Sequence, residues 1–178
     1  MIRSSAALLL CTCALAAGPA LAAGKAHEHG ALKLDIALDG STLSIDMEAP
    51  LDNLLGFERA PRTDAERKAA AEVLARLRSL DKTNPLFVPD AAAQCALVKA
   101  EVEAPVLEST KPLAKDDHAD VDATYTYTCA QPLALKRLEV RLFDAYKRIA
   151  RIDVQVAGAK GQSKATLKRP ARDVVLAP

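Results

Sequence analysis

Aromatic residues make up only 3% of the chain and tryptophan is absent. That scarcity excludes base-stacking platforms and aromatic sugar clamps. An excess of one charge is missing too. The 24 basic and 23 acidic residues give a formal charge of +1, without the basic footprint of a nucleic-acid binder. Beyond the N-terminal segment, no apolar run approaches the ~18 residues that suggest a spanning helix. There is no G-x-S-x-G, no H-E-x-x-H, no P-loop and no C-x-x-C, and the carboxylates follow no pattern, so nothing selects an enzymatic centre. What is present is a chain of 178 residues, 50% hydrophobic and 26% charged. It has ample apolar surface to fold, as a single domain with a core of Ala, Val, Leu and Ile.

Residues 1–22 read as a secretory signal peptide. Arg3 precedes an apolar stretch from Ala6 to Ala17, a Gly18-Pro19 break and an Ala20-Leu21-Ala22 cleavage motif. A buried N-terminal helix would leave that small-residue exit without a reason. Cys11 and Cys13 fall inside the segment and outside any Leu-small-small-Cys context, so no lipid anchor is expected. Residues 23–178 remain, long enough to bury about 68–70% of their unfolded surface. Two cysteines survive cleavage, Cys95 and Cys129. In an oxidising exported compartment such a pair predicts a disulfide. The rival reading, a two-thiolate metal or redox site, lacks the spacing.

Alternation over Ala31–Leu38, an Asp39-Gly40 turn and alternation from Leu43 to Met47 predict a β-hairpin ended by Pro50. Leu51 to Pro61 reads as an ordered loop. Thr63 and Glu66 form a capping box ahead of an amphipathic helix over about 63–81, stopped by Asn84-Pro85. Its cations Arg67, Lys68, Arg76 and Arg78 read as a solvated face rather than an anion site. Further strands are expected at Cys95–Glu103, Val121–Cys129, Leu138–Leu142, Ile152–Val156, around Ala165 and at Val174–Leu176. A polar connection spans about 104–117, and Phe143 to Arg148 reads as a helical turn. Pairing the first two of these strands would bring the sulfurs together. The fold class is α+β, with mainly antiparallel sheets and one dominant helix on a sheet face.

The chain has three histidines: His27, His29 and His118. In an extended chain His27 and His29 project to the same side, about 6.5–7 Å apart. Two such imidazoles can ligate one ion, and His118 with a carboxylate would complete a tetrahedral zinc site. The same residues also suit a solvated tail and a strand cap, and both readings stand on the residues alone. Copper is the poorer fit: Cu(I) favours Met and Cys, and after cleavage only Met47 and two disulfide-prone cysteines remain. Cleavage after Gly24 would instead make His27 third in the chain, where an amino-terminal Cu²⁺ or Ni²⁺ chelate forms.

His27-x-His29-Gly30, the Leu-x-Leu strand, Asp39-Gly40 and the block Asn53-Leu54-x-Gly56-Phe57-Glu58-x-Ala60-Pro61 resemble the ZrgA family. The resemblance resumes at Ala93-x-Cys95, His118-x-Asp120-Val121, Tyr125-x-Tyr127-x-Cys129, Leu142-Phe143 and Gly161-Gln162. It covers nearly all of residues 23–178. It implies a periplasmic, non-enzymatic protein that binds zinc, serves zinc homeostasis and hands the ion to a transporter component. The ligands implied are His27, His29 and His118, with Asp120 or Glu58 as a fourth. Two departures argue against a high zinc capacity. Only Lys115-Asp116-Asp117-His118 stands where family members carry a His-rich tract, and Arg59 stands where they carry His. A protein-interaction module that has lost its metal is the alternative, with Leu54–Phe57 or an exposed edge as its contact. A hydrolase with an unrecognised site is a third, weaker reading.

Overall fold

The computed structural model describes residues 28–81, 83, 85–108 and 119–176. The elements run β1 (Ala31–Asp39), β2 (Thr42–Pro50), α1 (Leu51–Leu55), α2 (Asp64–Arg78), β3 (Phe87–Pro89), β4 (Cys95–Glu103), α3 (Pro105–Glu108), β5 (Asp120–Cys129), β6 (Arg137–Val140), α4 (Leu142–Ala145), β7 (Arg151–Gly158), β8 (Gly161–Lys168) and β9 (Asp173–Val175). Expected signal-peptide residues 1–22 lie outside the described part of the chain.

Period-two alternation builds the main sheet. Leu32, Leu34 and Ile36 of β1 and Leu43, Ile45 and Met47 of β2 are buried on one face, while the residues between them face the other way. Six strands pair in the order β4-β5-β2-β1-β7-β8. All neighbours are antiparallel except β1 and β7. The expected α+β class, sheet-dominated and mainly antiparallel, is therefore observed. Cys95 and Cys129 are register partners on β4 and β5 and form the expected disulfide.

A second sheet, β3-β6-β9, lies against the buried face of the first. Phe87 places its ring 5.1 Å from that of Tyr125, edge to face, and the Tyr127 hydroxyl donates to the Phe87 carbonyl at 3.2 Å. Buried residues of both sheets and α2 join in one hydrophobic cluster. The sequence pattern did not separate these sheets. Val174, expected to close the main sheet, pairs with Leu138 in the smaller one.

The dominant helix starts as predicted. Thr63 caps the Glu66 amide and Glu66 returns to the Thr63 amide, closing the capping box. It ends three residues before the predicted boundary, at Arg78. Ser79 is extended there. Its hydroxyl accepts from the Asp81 amide, and Asp81 accepts from Thr83. These local side-chain bonds compete with helix continuation. Leu80, placed on the apolar stripe by periodicity, is half exposed. The expected loop after Pro50 opens instead with α1, which closes on Gly56 at φ 84, a left-handed cap that glycine adopts without a Cβ penalty.

Candidate functional site

The site is built at the end of the main sheet where β1 begins and β2 finishes. The chain enters through a turn: the Ala31 amide donates to the Glu28 carbonyl at 3.0 Å, and Gly30 has φ 81. His29 thus sits at a bend rather than in the extended segment assumed for the His27–His29 spacing. The bend is over-determined. Asn53 of α1 is 1% exposed; its Oδ1 accepts from the Gly30 amide at 2.6 Å and its Nδ2 donates to the Ala31 carbonyl at 2.5 Å. The Gly30 carbonyl accepts from the Ala150 and Arg151 amides at 2.8 and 2.9 Å. A Cβ on Gly30 would come within 3.3 Å of the Ala150 Cβ. Glu28, between the two N-terminal histidines, makes a forked pair with Arg151 at 3.0 and 2.7 Å.

From this fixed bend the His29 Nε2 lies 3.1 Å from Glu58 Oε1. Both side chains are accessible to solvent, the imidazole at 66%. Glu58 belongs to the loop joining α1 to α2, which polar contacts secure at both ends. Arg59 forks onto Glu66 at 3.0 and 2.7 Å and lies 5.0 Å from the centroid of the Phe57 ring. Arg148 pairs with Asp52 at 3.7 Å and packs on Gly56 so closely that a Cβ there would sit 2.7 Å from its Nη2. Arg59, the residue noted as a departure from the family's pattern, therefore clamps the loop to the start of α2. The Arg59 hydrogen bond is the main reason the Glu66 carboxyl drops to about 2; the Arg62 amide adds to it.

Strand β5 begins at the same end. β1 and β5 flank β2 and run parallel to each other, so their starts are about 9–10 Å apart across two strand spacings. Asp120, partly buried, is the register partner of Pro50. The carbonyl of Ala119 accepts from the Leu51 amide at 2.8 Å. Helix α1 thus holds both the residue after His29, through Asn53, and the residue after His118, through Leu51. Of the five metal-ligand candidates, His29 and Glu58 meet and Asp120 lies at the same sheet end. His27 and His118 are outside the described residues. Among the described residues no three His, Cys, Asp or Glu side chains form a group that could hold a metal.

Carboxylates also gather on the open face of the sheet, where Asp35 faces Asp46 and Glu48 faces Asp122. Their charges are locally answered. Lys33 pairs with Glu48, Thr124 donates to Asp46 at 2.7 Å and Gln155 to Asp35 at 3.0 Å. Sequence reasoning missed Asn53 as a positioning residue. Its signal was the second of two polar residues, Asp52 and Asn53, set between Leu51 and Leu54, and only burial gives that its meaning.

A histidine held at a sheet end, against a carboxylate and beside the starts of two parallel-running strands, sits on a two-sheet α+β scaffold. The family model described as ZrgA family zinc uptake protein matches residues 26–176. The chain belongs to that family, and its role is zinc-related. A comparison with curated proteins finds no match. Among the described residues no helix is long and apolar enough to cross a membrane, and the disulfide agrees with an oxidising compartment.

Proposed function

We propose that the protein is exported to the periplasm, holds zinc there without catalysing a reaction, and passes it to a transporter component. His27, His29 and His118 are the imidazole ligands of this reading, and Asp120 is its carboxylate. The observation that carries it is the His29–Glu58 approach of 3.1 Å on a bend fixed by Asn53. Glu58 stands on the Nε2 side of the ring, so a neutral His29 that gave its Nε2–H to Glu58 would keep its lone pair on Nδ1 for the ion. A carboxylate in that position orients a ligating imidazole and raises its basicity. Glu58 then serves His29 rather than the ion, which refines its place in the ligand set. Binding deprotonated imidazole makes uptake pH-dependent, with release as the medium acidifies.

Zinc titration calorimetry of the purified protein at neutral pH tests the reading, run on wild type and on His27→Ala/His29→Ala. Saturable binding that disappears in the double variant is expected. Heat no greater than buffer alone, or heat untouched by the substitutions, would leave a protein-interaction module of the same fold.

A further inference from the structure

A cavity that neither His29 nor Glu58 lines lies between the C-terminal half of α2, β3 and the inner face of β5. Its volume is 330 Å³, at the small end of the roughly 300–1,000 Å³ of ligand pockets. Pro85, Leu86, Phe87 and Leu97 give it apolar walls, and Arg76 and Tyr125 line it as well. Tyr125 is 2% exposed. Neither its hydroxyl nor the buried Nε of Arg76 has a hydrogen-bond partner among the described residues. Two orphaned donors on one small cavity is unusual, because buried polar groups are nearly always paired.

The surroundings decide what could pair them. Tyr127, also on the wall, already gives its hydroxyl to the Phe87 carbonyl. Asp81 also lines it, with its oxygens accepting from Thr83, and among the described residues it makes no ion pair with Arg76. The Arg76 guanidinium lies 5.9 Å from the ring centroid of Tyr146, whose hydroxyl is likewise buried and unpaired among the described residues. Burial raises the Tyr125 hydroxyl pKa and lifts that of Tyr146 to about 12, so both remain protonated donors. The missing complement is an acceptor. One guanidinium matches a single negative charge better than a phosphate dianion, and the walls call for hydrocarbon.

We propose that this pocket binds a small carboxylate with an apolar body, its oxygens accepting from Arg76 Nε and Tyr125 Oη. Arg76 is then an anion-binding residue, not part of the solvated face that helix periodicity suggested.

Benzoate serves as the probe, followed by amide chemical shifts of the whole protein, with benzyl alcohol as the uncharged match. Saturable shifts confined to Arg76, Leu86, Phe87 and Tyr125 are expected, with benzyl alcohol and the Arg76→Gln variant each about ten- to a hundredfold weaker. Tyr125→Phe keeps the fold and should equal or exceed wild type in thermal stability, since it deletes an unpaired hydroxyl, yet bind benzoate about tenfold more weakly. Zinc titration should be the same in every variant. No saturable shift, equal affinity for benzyl alcohol, or full benzoate affinity in both variants overturns the proposal.

Discussion

The two ends of the main sheet are held by different physics. At the hairpin end the devices are local or covalent. Gly40 turns β1 into β2, Gly158 pairs with Gly161, the Cys129 amide donates to the Ser41 carbonyl at 2.8 Å, and the disulfide ties β4 to β5. At the opposite end, closure depends on side chains distant in sequence: Asn53 on Gly30 and Ala31, Arg151 on Glu28, His29 on Glu58, Arg148 on Asp52. The first end cannot exchange partners. The second can, because the His29 imidazole and the Glu58 carboxylate meet at the surface, where the proposed zinc reading would turn the imidazole to an ion. A binding site belongs where partners are exchangeable and the backbone beneath them is fixed.

The largest expected effect breaks the covalent end. Cys95→Ala/Cys129→Ala opens a loop spanning 34 positions and should cost about 3–4 kcal/mol in denaturant unfolding. Zinc affinity below the unfolding transition should be unchanged. If the variant stayed folded yet lost zinc, the two ends would be coupled and the contrast would fail. Next comes Asn53→Ala. It strips partners from the Gly30 amide and the Ala31 carbonyl, at about 2–3 kcal/mol. Unlike the disulfide variant it should weaken zinc binding as well, because the bend carrying His29 is released. Calorimetry and unfolding on the same samples separate the two variants; an Asn53→Ala protein that binds zinc as wild type does would show that the bend is not the platform.

The same contrast explains what could be read in advance. Alternation at Leu43–Met47 or Val121–Cys129 is a local signal, and those strands form where expected. Thr63 and Glu66 announce the helix start because a cap is completed within four residues. The helix end was misplaced because Ser79 and Asp81 divert the backbone through their side chains, a competition that apolar periodicity does not register. The second sheet was not legible because β3, with three residues, is too short to display a period, and β6 and β9, expected as strands, carry no local signal of which sheet they join. Of the candidate site, residue types were legible and proximity was not. Nothing in the residues themselves links His29 to Glu58, and their meeting depends on Asn53, Gly30 and Ala150 packing together.

Smaller effects probe the loop that delivers Glu58. Thr63→Ala removes the cap on the Glu66 amide and should cost about 1 kcal/mol, read as a lowered melting temperature, with zinc affinity nearly intact because Arg59 still holds Glu66. If affinity fell as far as in Asn53→Ala, the cap and the bend would be one unit.

The subtlest prediction concerns pH. The Glu66 carboxyl is pulled from an ordinary 4.5 to about 2, chiefly by Arg59 and then by the Arg62 amide. A carboxyl whose folded-state value is depressed favours the folded state fully above its unfolded value and progressively less as protons bind. Its contribution should therefore be complete above about pH 4.5 and vanish as pH falls towards about 2. Glu66→Gln, which keeps an acceptor oxygen but no charge, should melt below wild type at neutral pH, and the gap should close across that acid window. The absence of any gap at neutral pH would mean that Arg59 contributes through shape, by its approach to the Phe57 ring, and not through its pair with Glu66. The loop would then be held by packing and not by an exchangeable ion pair, and the contrast between the two ends would narrow.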